Sequence, residues 1–139
     1  MKNPRHELRM ELPLTLEAIE EFCLAFRTWR GAVCADLDAF STELLLREAL
    51  TNSVTHGSAE NGDRIRCVLR AKRGRVLIAI QDPGPGFDWR AIWDRHAEPD
   101  DDHGRGMEIL RHYAHAVRFN PRGNAVTLIK RFEGYSNEQ

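Results

Sequence analysis

Hydrophobic and polar residues alternate in the first segment of the chain. From Glu7 to Leu14 the apolar side chains occupy every second position, which is the period of a strand with one buried face. Apolar residues then recur at helical spacing behind Thr15, a residue type that caps helix N-termini. The pattern predicts an opening strand and then an amphipathic helix that ends at Gly31.

A second and longer helical pattern begins at about Asp38 and ends at His56, where Gly57 supplies a stop signal. The remaining predicted elements are a hairpin of residues 64–72 and 76–80 with Gly74 at its turn, a helix from Gly106 to Ala114, and strands at residues 116–120 and 125–132 around a turn at 121–123. Because hairpins join most of the strands and the helices do not alternate with them, we predict an α+β fold. The expected form is a two-layer α/β sandwich with a mixed, mostly antiparallel sheet and helices on one face.

Chain length and charge limit the classes of protein. The 139 residues, 42% of them hydrophobic, suit one core, so a single domain over residues 1–139 is predicted. No apolar stretch near the N-terminus resembles a signal peptide or a membrane span. With 20 basic and 21 acidic side chains, the chain has no charge excess that favours nucleic acid or membrane. We therefore expect a soluble protein that contacts neither of them directly.

Cysteine and histidine show no clear ligand pattern. The three cysteines are odd in number and form no C-x-x-C pair, which disfavours a disulfide framework and a zinc knuckle, so a cytoplasmic protein is expected. The histidines in the second half of the chain form only a loose group, which we interpret as exposed or half-buried residues rather than a metal site. They are His96, His103, His112 and His115.

The long helix carries the first candidate motif. Glu48 and Asn52 are four residues apart, so both side chains project from one helix face and can converge on one ligand. A carboxylate and an amide oxygen are hard donors, which magnesium accepts while it keeps most of its waters. Taken alone, the pair also fits an ordinary solvated helix face.

The second motif follows the most apolar strand, in the sequence from Gln81 to Phe87. Gly84 and Gly86 allow a close backbone approach to a ligand, and Pro83 and Pro85 limit the conformations of the loop. Asp82, at the base of the loop, can accept a hydrogen bond from an exocyclic amine. The alternative is a plain reverse turn with the aspartate as its first residue.

The third motif is His103-Gly104-Arg105-Gly106-Met107, ahead of a helix. Free N–H groups at a helix start point toward an anion, and the helix dipole favours negative charge there. Arg105 can add a charge-assisted contact to a phosphate. This pattern predicts a phosphate site, although a flexible loop before the helix fits the same residues.

The order of the three motifs is more specific than any one of them. It is Glu-x-x-x-Asn on a helix that ends in His-Gly, then Asp-x-Gly-x-Gly after a strand, then Gly-x-Gly before a helix. Together they resemble the Bergerat-type ATP-binding superfamily, which joins gyrase, the heat-shock chaperone of that fold, histidine kinases and mismatch-repair ATPases. The resemblance covers residues 43–131, and the box EALTNSVTHG at residues 48–57 is most similar to bacterial anti-sigma-factor serine kinases.

The resemblance implies ATP and Mg²⁺ as ligands and a role for each motif. Asn52 would ligate Mg²⁺, Glu48 would be the general base that takes the proton of a serine hydroxyl, and Asp82 would bind the adenine amine. A carboxylate beside a magnesium-bound phosphate suits the positioning and proton removal that phosphoryl transfer needs. The residues that would line the nucleotide are Gly84 and Gly86 at the adenosine, and Gly104, Arg105, Gly106 and Met107 at the phosphates.

Two charged segments add questions about partners. By the resemblance, the segment from Phe87 to His103 would be a lid over the nucleotide. Its acidic residues would repel a triphosphate unless they point to solvent or toward a basic partner. We interpret them as solvated; they are Glu98, Asp100, Asp101 and Asp102. One face of the strand at 64–72 is either an exposed sheet surface that charge keeps soluble or a docking surface for an acidic protein. Its cations are Arg64, Arg66, Arg70 and Lys72.

Two functions fit these motifs. The first is a protein-serine kinase of the anti-sigma type, which phosphorylates an anti-anti-sigma partner and holds a sigma factor. The second is a nucleotide-gated module that sequesters a protein without phosphotransfer. Glu48 favours the kinase, because a pure binder has no need of a base. A histidine-kinase catalytic domain ranks last, since about forty residues before the first box leave no room for a helix that bears a phospho-accepting histidine. The resemblance also suggests a homodimer.

Overall fold

The computed structural model of the chain describes residues 6–57, 62–93 and 102–132. Within these ranges the chain forms five strands and four helices. In chain order they are β1 (Glu7–Pro13), α1 (Leu16–Val33), α2 (Ala39–His56), β2 (Arg64–Lys72), β3 (Arg75–Gln81), α3 (Trp89–Trp93), α4 (Asp102–Tyr113), β4 (Ala116–Phe119) and β5 (Ala125–Arg131). No helix in the described ranges is long and apolar enough to cross a membrane.

The strands form one sheet in the order β1-β2-β3-β5-β4. All four pairings between described strands are antiparallel, so the sheet contains none of the parallel pairing for which the prediction left room. The register aligns apolar side chains in rows across the strands, such as the row of Leu8, Leu69, Ile78, Leu128 and Val117. The predicted α+β, two-layer class is confirmed.

The hydrophobic core lies between one face of the sheet and the helices. Alternate residues of β2 and β3 are buried, as the period of two requires for a sheet covered on one side. Helices α1, α2 and α4 each contribute buried side chains to this core, whereas α3 has no buried residue. The largest fully buried side chains include Phe22 and Phe26 of α1, Leu46 and Leu50 of α2, and Leu110 of α4.

Two helix starts agree with their capping residues, and one helix end does not agree with the prediction. The Thr15 hydroxyl accepts the Ala18 N–H at 3.2 Å, and the Asp38 carboxylate accepts the Ser41 N–H at 2.8 Å. Helix α1 continues past Gly31 to Val33, so the predicted stop was wrong. A Cβ at position 31 would meet nothing within 4 Å, which means that this glycine neither packs tightly nor forces a turn.

Ion pairs join α1 to α2 on the solvent side. The Arg27 guanidinium donates to both oxygens of Glu43, at 2.8 and 2.9 Å. Arg47 donates to Glu20 of α1 and to Glu43 on its own helix. Because water and salt screen exposed pairs of this kind, each contributes little by itself, but together with the core they define the orientation of α2, which carries the first motif.

Helix α4 begins earlier than predicted. It starts at Asp102 instead of Gly106, so Gly104, predicted to precede the helix, is its third residue and Gly106 is its fifth. A glycine inside a helix costs roughly 1 kcal/mol relative to alanine. Tertiary packing offsets that cost, because α4 buries Met107 and Leu110 in the core. The predicted strands at 116–120 and 125–132 are each one residue too long at the C-terminal end.

Candidate functional site

Glu48 and Asn52 lie one turn apart on α2, and both are partly buried. Burial raises the pKa of the Glu48 carboxyl above its usual value of 4.5. Gly106 of α4 faces this carboxyl, since a Cβ at that position would lie 2.8 Å from Glu48 Oε2. Two helices thus enclose a carboxylate that binds protons more strongly than a free glutamate, which suits a proton acceptor.

Asp82 follows β3 directly and is only 5% exposed. Its Oδ1 accepts the Gly84 N–H at 2.8 Å, and the Ser53 side chain of α2 hydrogen bonds to the same carboxyl. Desolvation nevertheless outweighs these two bonds, so the pKa of Asp82 is raised. Asp82 and Asn52 line the same small cavity between β3 and α2. The structure therefore brings the first two motifs together.

Gly84 and Gly86 allow close contacts within the protein itself. A Cβ on Gly84 would lie 2.5 Å from the carbonyl oxygen of His56, at the end of α2. Gly86 has a φ of +83°, and its Cβ would lie 1.9 Å from the carbonyl oxygen of Arg122. Larger residues would displace the loop at both positions. The two glycines hold the loop against α2 on one side and against the β4–β5 turn on the other.

An asparagine pair, which the sequence analysis did not identify, fastens this loop from the β4–β5 turn. Asn124 is 9% exposed, and its Nδ2 donates to the carbonyl oxygens of Asp82 at 3.3 Å and Gly84 at 3.1 Å. Its Oδ1 accepts from Asn120 Nδ2 at 2.7 Å. Asn120 Oδ1 in turn accepts three backbone N–H groups, those of Gly123, Asn124 and Ala125. Asparagines flanking a Pro-Arg-Gly turn were the available signal, but a turn by itself accounts for them.

Aromatic rings fill the space beside Asp82. His56 and Phe87 are stacked with centroids 4.4 Å apart, and Phe87 meets Phe119 edge to face at 5.7 Å. The cavity that remains between Asn52, Asp82 and these rings has a volume of about 10 Å³, enough for one water molecule. A purine base does not fit the cavity that Asn52 and Asp82 share unless Phe87 or Phe119 moves.

The third motif differs most from its prediction. In a helix that starts at Asp102, Gly104 is among the first residues, whose N–H groups lack an intrahelical partner, whereas Gly106 lies beyond them. Met107 is 2% exposed and packs in the core, so the structure does not bring its side chain to the site. The side chain of Arg105 lies outside the described part of the structure. The free amides lie at the very start of α4, and Gly106 contacts Glu48 instead.

The predicted lid is described only at its two ends. Helix α3 lies near its start, and the Trp89 Nε1 donates to the Asn120 carbonyl oxygen at 3.0 Å. Trp89 also stacks on Phe119 with centroids 5.2 Å apart. The start of the lid is therefore attached to the same β4–β5 turn that holds the Asp82 loop. Glu98, Asp100, Asp101 and the side chain of Asp102 lie outside the described part of the structure.

One comparison with known proteins bears on this site. The family model for the histidine kinase-like ATPase domain matches residues 12–130 of the chain. The match runs from the end of β1 to the penultimate residue of β5 and contains all three motifs. A search of curated proteins found no match to this chain.

Proposed function

Because the chain belongs to the histidine kinase-like ATPase domain family, we propose that it binds ATP and transfers its γ-phosphoryl group to a protein serine. The acceptor in this proposal is an anti-anti-sigma protein, and the chain also sequesters a sigma factor, as a cytoplasmic homodimer. Family membership supports the ATP-dependent part of this function. The choice of acceptor depends on the box at residues 48–57 and on the site around it.

The observation that carries the proposal is the enclosed carboxylate of Glu48. It lies one helical turn from Asn52, and burial raises the pKa of its carboxyl. A serine hydroxyl placed beside the phosphate would transfer its proton to Glu48 as the Oγ attacks phosphorus and the bond to the departing ADP breaks. A pKa nearer to neutral makes Glu48 a better base for this step than an exposed glutamate.

Asn52 is the residue in this set whose amide oxygen suits a magnesium ion. When bound, Mg²⁺ neutralises charge on the phosphates. The described residues contain no group of three or more His, Cys, Asp or Glu side chains that could hold a metal. The donor set fits a magnesium ion that keeps several waters and relies on phosphate oxygens, with Asn52 as its protein ligand.

In this proposal, Asp82 binds the adenine ring of the nucleotide. Its backbone is held by Asn124 and its Oδ1 by the Gly84 N–H, so the carboxylate is oriented before any ligand arrives. A buried, oriented acceptor discriminates strongly for an amine that donates to it, because an unpaired buried carboxylate is costly. Entry of the base displaces the ring of Phe87 or Phe119, so nucleotide binding includes a conformational step.

The second candidate function is a nucleotide-gated sequestering module. The closed aromatic cluster beside Asp82 favours it, because displacement of these rings by a nucleotide would also shift α3, which is attached through Trp89 to Phe119. In this alternative Glu48 has no chemical role. The two functions therefore differ in what a change at Glu48 does.

A three-variant experiment separates the functions. Wild type, Glu48→Gln and Asn52→Ala are titrated with ATP and Mg²⁺ in a calorimeter and then incubated with γ-labelled ATP and a purified anti-anti-sigma protein. Thr51→Ala, at an exposed position of the same helix, is the matched control. We expect Asn52→Ala to lose magnesium-dependent binding, Glu48→Gln to bind ATP but transfer no label, and Thr51→Ala to behave as wild type.

Other outcomes would change the proposal. Label transfer by Glu48→Gln at the wild-type rate would remove the general base. ATP binding by wild type with no transfer to the serine of the acceptor would select the sequestering module. Absence of any ATP binding by wild type would reject both functions.

A further inference from the structure

The sheet face that points away from the helices carries a groove at the tip of the β2–β3 hairpin. The groove has a volume of about 410 Å³. It is lined by Arg70, Lys72, Arg73, Arg75, Leu77 and Ile129. Arg75, at the hairpin tip, lies at the opposite end of β3 from Asp82, and a strand of this length separates the two residues by roughly 23 Å. The groove is therefore separate from the candidate nucleotide site.

The cations at the hairpin tip differ from those farther along β2. Arg70 is paired with Glu7 at 2.7 Å, Arg66 with Glu11 at 3.6 Å, and Arg64 with Asp63 at 3.8 Å. By contrast, Lys72 and Arg75 of the hairpin have no acidic partner among residues 6–57, 62–93 and 102–132. The basic face predicted from the sequence is thus largely neutralised at Arg64, Arg66 and Arg70, and its uncompensated charge lies at the tip.

The strand register places like charges directly opposite one another at this tip. Lys72 pairs with Arg75 across β2 and β3, and Arg75 pairs with Arg131 across β3 and β5. All three residues are exposed. Like charges at opposed positions destabilise a sheet, so this row opposes folding unless something negative binds it. The net charge of the whole chain is −1, which means that the positive row is a local feature.

The groove also has an apolar floor. Leu77, 37% exposed, lies directly opposite Ile129 on the neighbouring strand. Two aliphatic side chains inside a rim of cations match a ligand with an aliphatic group flanked by negative charge. An acidic protein segment has both features, whereas a nucleic acid backbone has no aliphatic side chain to cover Leu77. Apolar centres with charged rims are typical of protein interfaces.

We propose that the groove at the β2–β3 hairpin tip docks an acidic protein segment, with carboxylates on the row of Lys72, Arg75 and Arg131 and an aliphatic side chain on Leu77 and Ile129. This interaction does not depend on the proposed nucleotide function. It gives the chain a second attachment point for a protein partner, on the side of the sheet away from the helices.

Fluorescence anisotropy with defined probes tests the proposal in the full chain without nucleotide. The probe is a fluorescein-labelled peptide, EDELLEDE, and its amide analogue, QNQLLQNQ, has the same leucines without charge. The test variant is Lys72→Gln/Arg75→Gln. The matched control is Arg64→Gln/Arg118→Gln, two exposed arginines of the same sheet that do not line the groove.

We expect the acidic peptide to bind wild type and the control with affinities within about twofold, and the test variant about tenfold more weakly. The amide analogue should not bind. Leu77→Thr should weaken binding several-fold and leave its salt dependence unchanged. Neutralising the row should also raise the melting temperature of the free chain, which shows that the test variant folds.

Three results would overturn the proposal. Equal loss in the test and control variants would mean that the peptide responds only to general positive charge. Binding of oligo(dT) as tightly as the peptide, with the same loss in the test variant, would assign the groove to nucleic acid. A gain of more than about tenfold in peptide affinity on Glu133→Gln/Glu138→Gln would mean that this chain's own C-terminal acids occupy the groove.

Discussion

Asn124→Ala is the perturbation that most directly tests how the site is held. The substitution removes the two donor bonds from Asn124 Nδ2 to the carbonyl oxygens of Asp82 and Gly84, and the acceptor for Asn120 Nδ2. Asn120 is only partly buried, so water can take the place of Asn124 at its Nδ2 while its Oδ1 keeps the three backbone bonds. Gly84 is buried, so its carbonyl oxygen loses a partner that water does not easily replace.

The cost can be worked out from these contacts. A typical intramolecular hydrogen bond contributes about 1 kcal/mol, and a buried acceptor left without a partner costs about 1–3 kcal/mol. With one of the three bonds partly replaced by water, we expect the free energy of unfolding to fall by about 2–3 kcal/mol. For a chain of 139 residues this corresponds to a melting temperature about 7–10 °C lower.

The assay is thermal and urea unfolding of Asn124→Ala, followed by calorimetric titration with ATP and Mg²⁺ below the melting temperature. Gln81→Ala is the control, because Gln81 is exposed at the end of β3, next to Asp82. Since Asn124 orients the backbone of the Asp82 loop, we also expect weaker ATP binding in the variant that remains folded, by about tenfold.

A change in melting temperature of less than about 2 °C would refute this account of the loop. So would an equal loss in Gln81→Ala. A large stability loss with unchanged ATP affinity would separate the two roles, and it would leave Asn124 as a residue that stabilises the fold without orienting Asp82.

Three further predictions concern residues of the same site. Burial raises the pKa of Glu48, so its ionised form destabilises the folded chain. This destabilisation is absent below the unfolded pKa of about 4.5 and fully present above the folded pKa. Glu48→Gln should therefore raise the melting temperature at pH 8, and this gain should vanish toward pH 4.5. A gain that persists unchanged at pH 4.5 would contradict this origin. Gly86→Ala combines a φ of +83° with a Cβ 1.9 Å from the Arg122 carbonyl oxygen, so it should lower the free energy of unfolding by about 2–4 kcal/mol in denaturant. The contrasting substitution, Gly31→Ala, lies in helix α1 with open space around it and should stabilise the folded chain by up to about 1 kcal/mol. Gly106→Ala places a Cβ 2.8 Å from the Glu48 carboxylate, which can move away. The melting temperature should therefore change by less than about 3 °C, while phosphotransfer falls about tenfold or more. Unchanged transfer would show that the position of this carboxylate is not critical.

The strands and helices that were predicted correctly are those with a clear hydrophobic periodicity in the sequence. The alternation in β2 and the helical spacing in α1 and α2 show which faces are buried, because the residue types on a buried face repeat at short intervals along the chain. Thr15 and Asp38 act as caps through bonds to residues three positions away. The pairing of Asn52 with Asp82 in one cavity was expected from family resemblance, since spacing alone does not bring α2 to the end of β3.

The start of α4 shows where local signals fail. Gly104 and Gly106 have low helix propensity, so the sequence favoured a helix that begins no earlier than Gly106. Packing of Met107 and Leu110 into the core overrides that propensity and adds about one turn to the helix. Propensities of less than about 1 kcal/mol per residue do not decide a boundary against the burial of two large side chains.

The sequence by itself determined the fold class, the order of the motifs and the ATP-binding superfamily to which they belong, because these depend on residue types at short spacings. Tertiary structure alone decided that Asn124 holds the Asp82 loop, since the residues it bonds are 40 and 42 positions away. It also decided that Lys72, Arg75 and Arg131 form one row, which follows from strand register. Contacts between distant segments depend on how the whole chain packs, and no short pattern in the sequence encodes them.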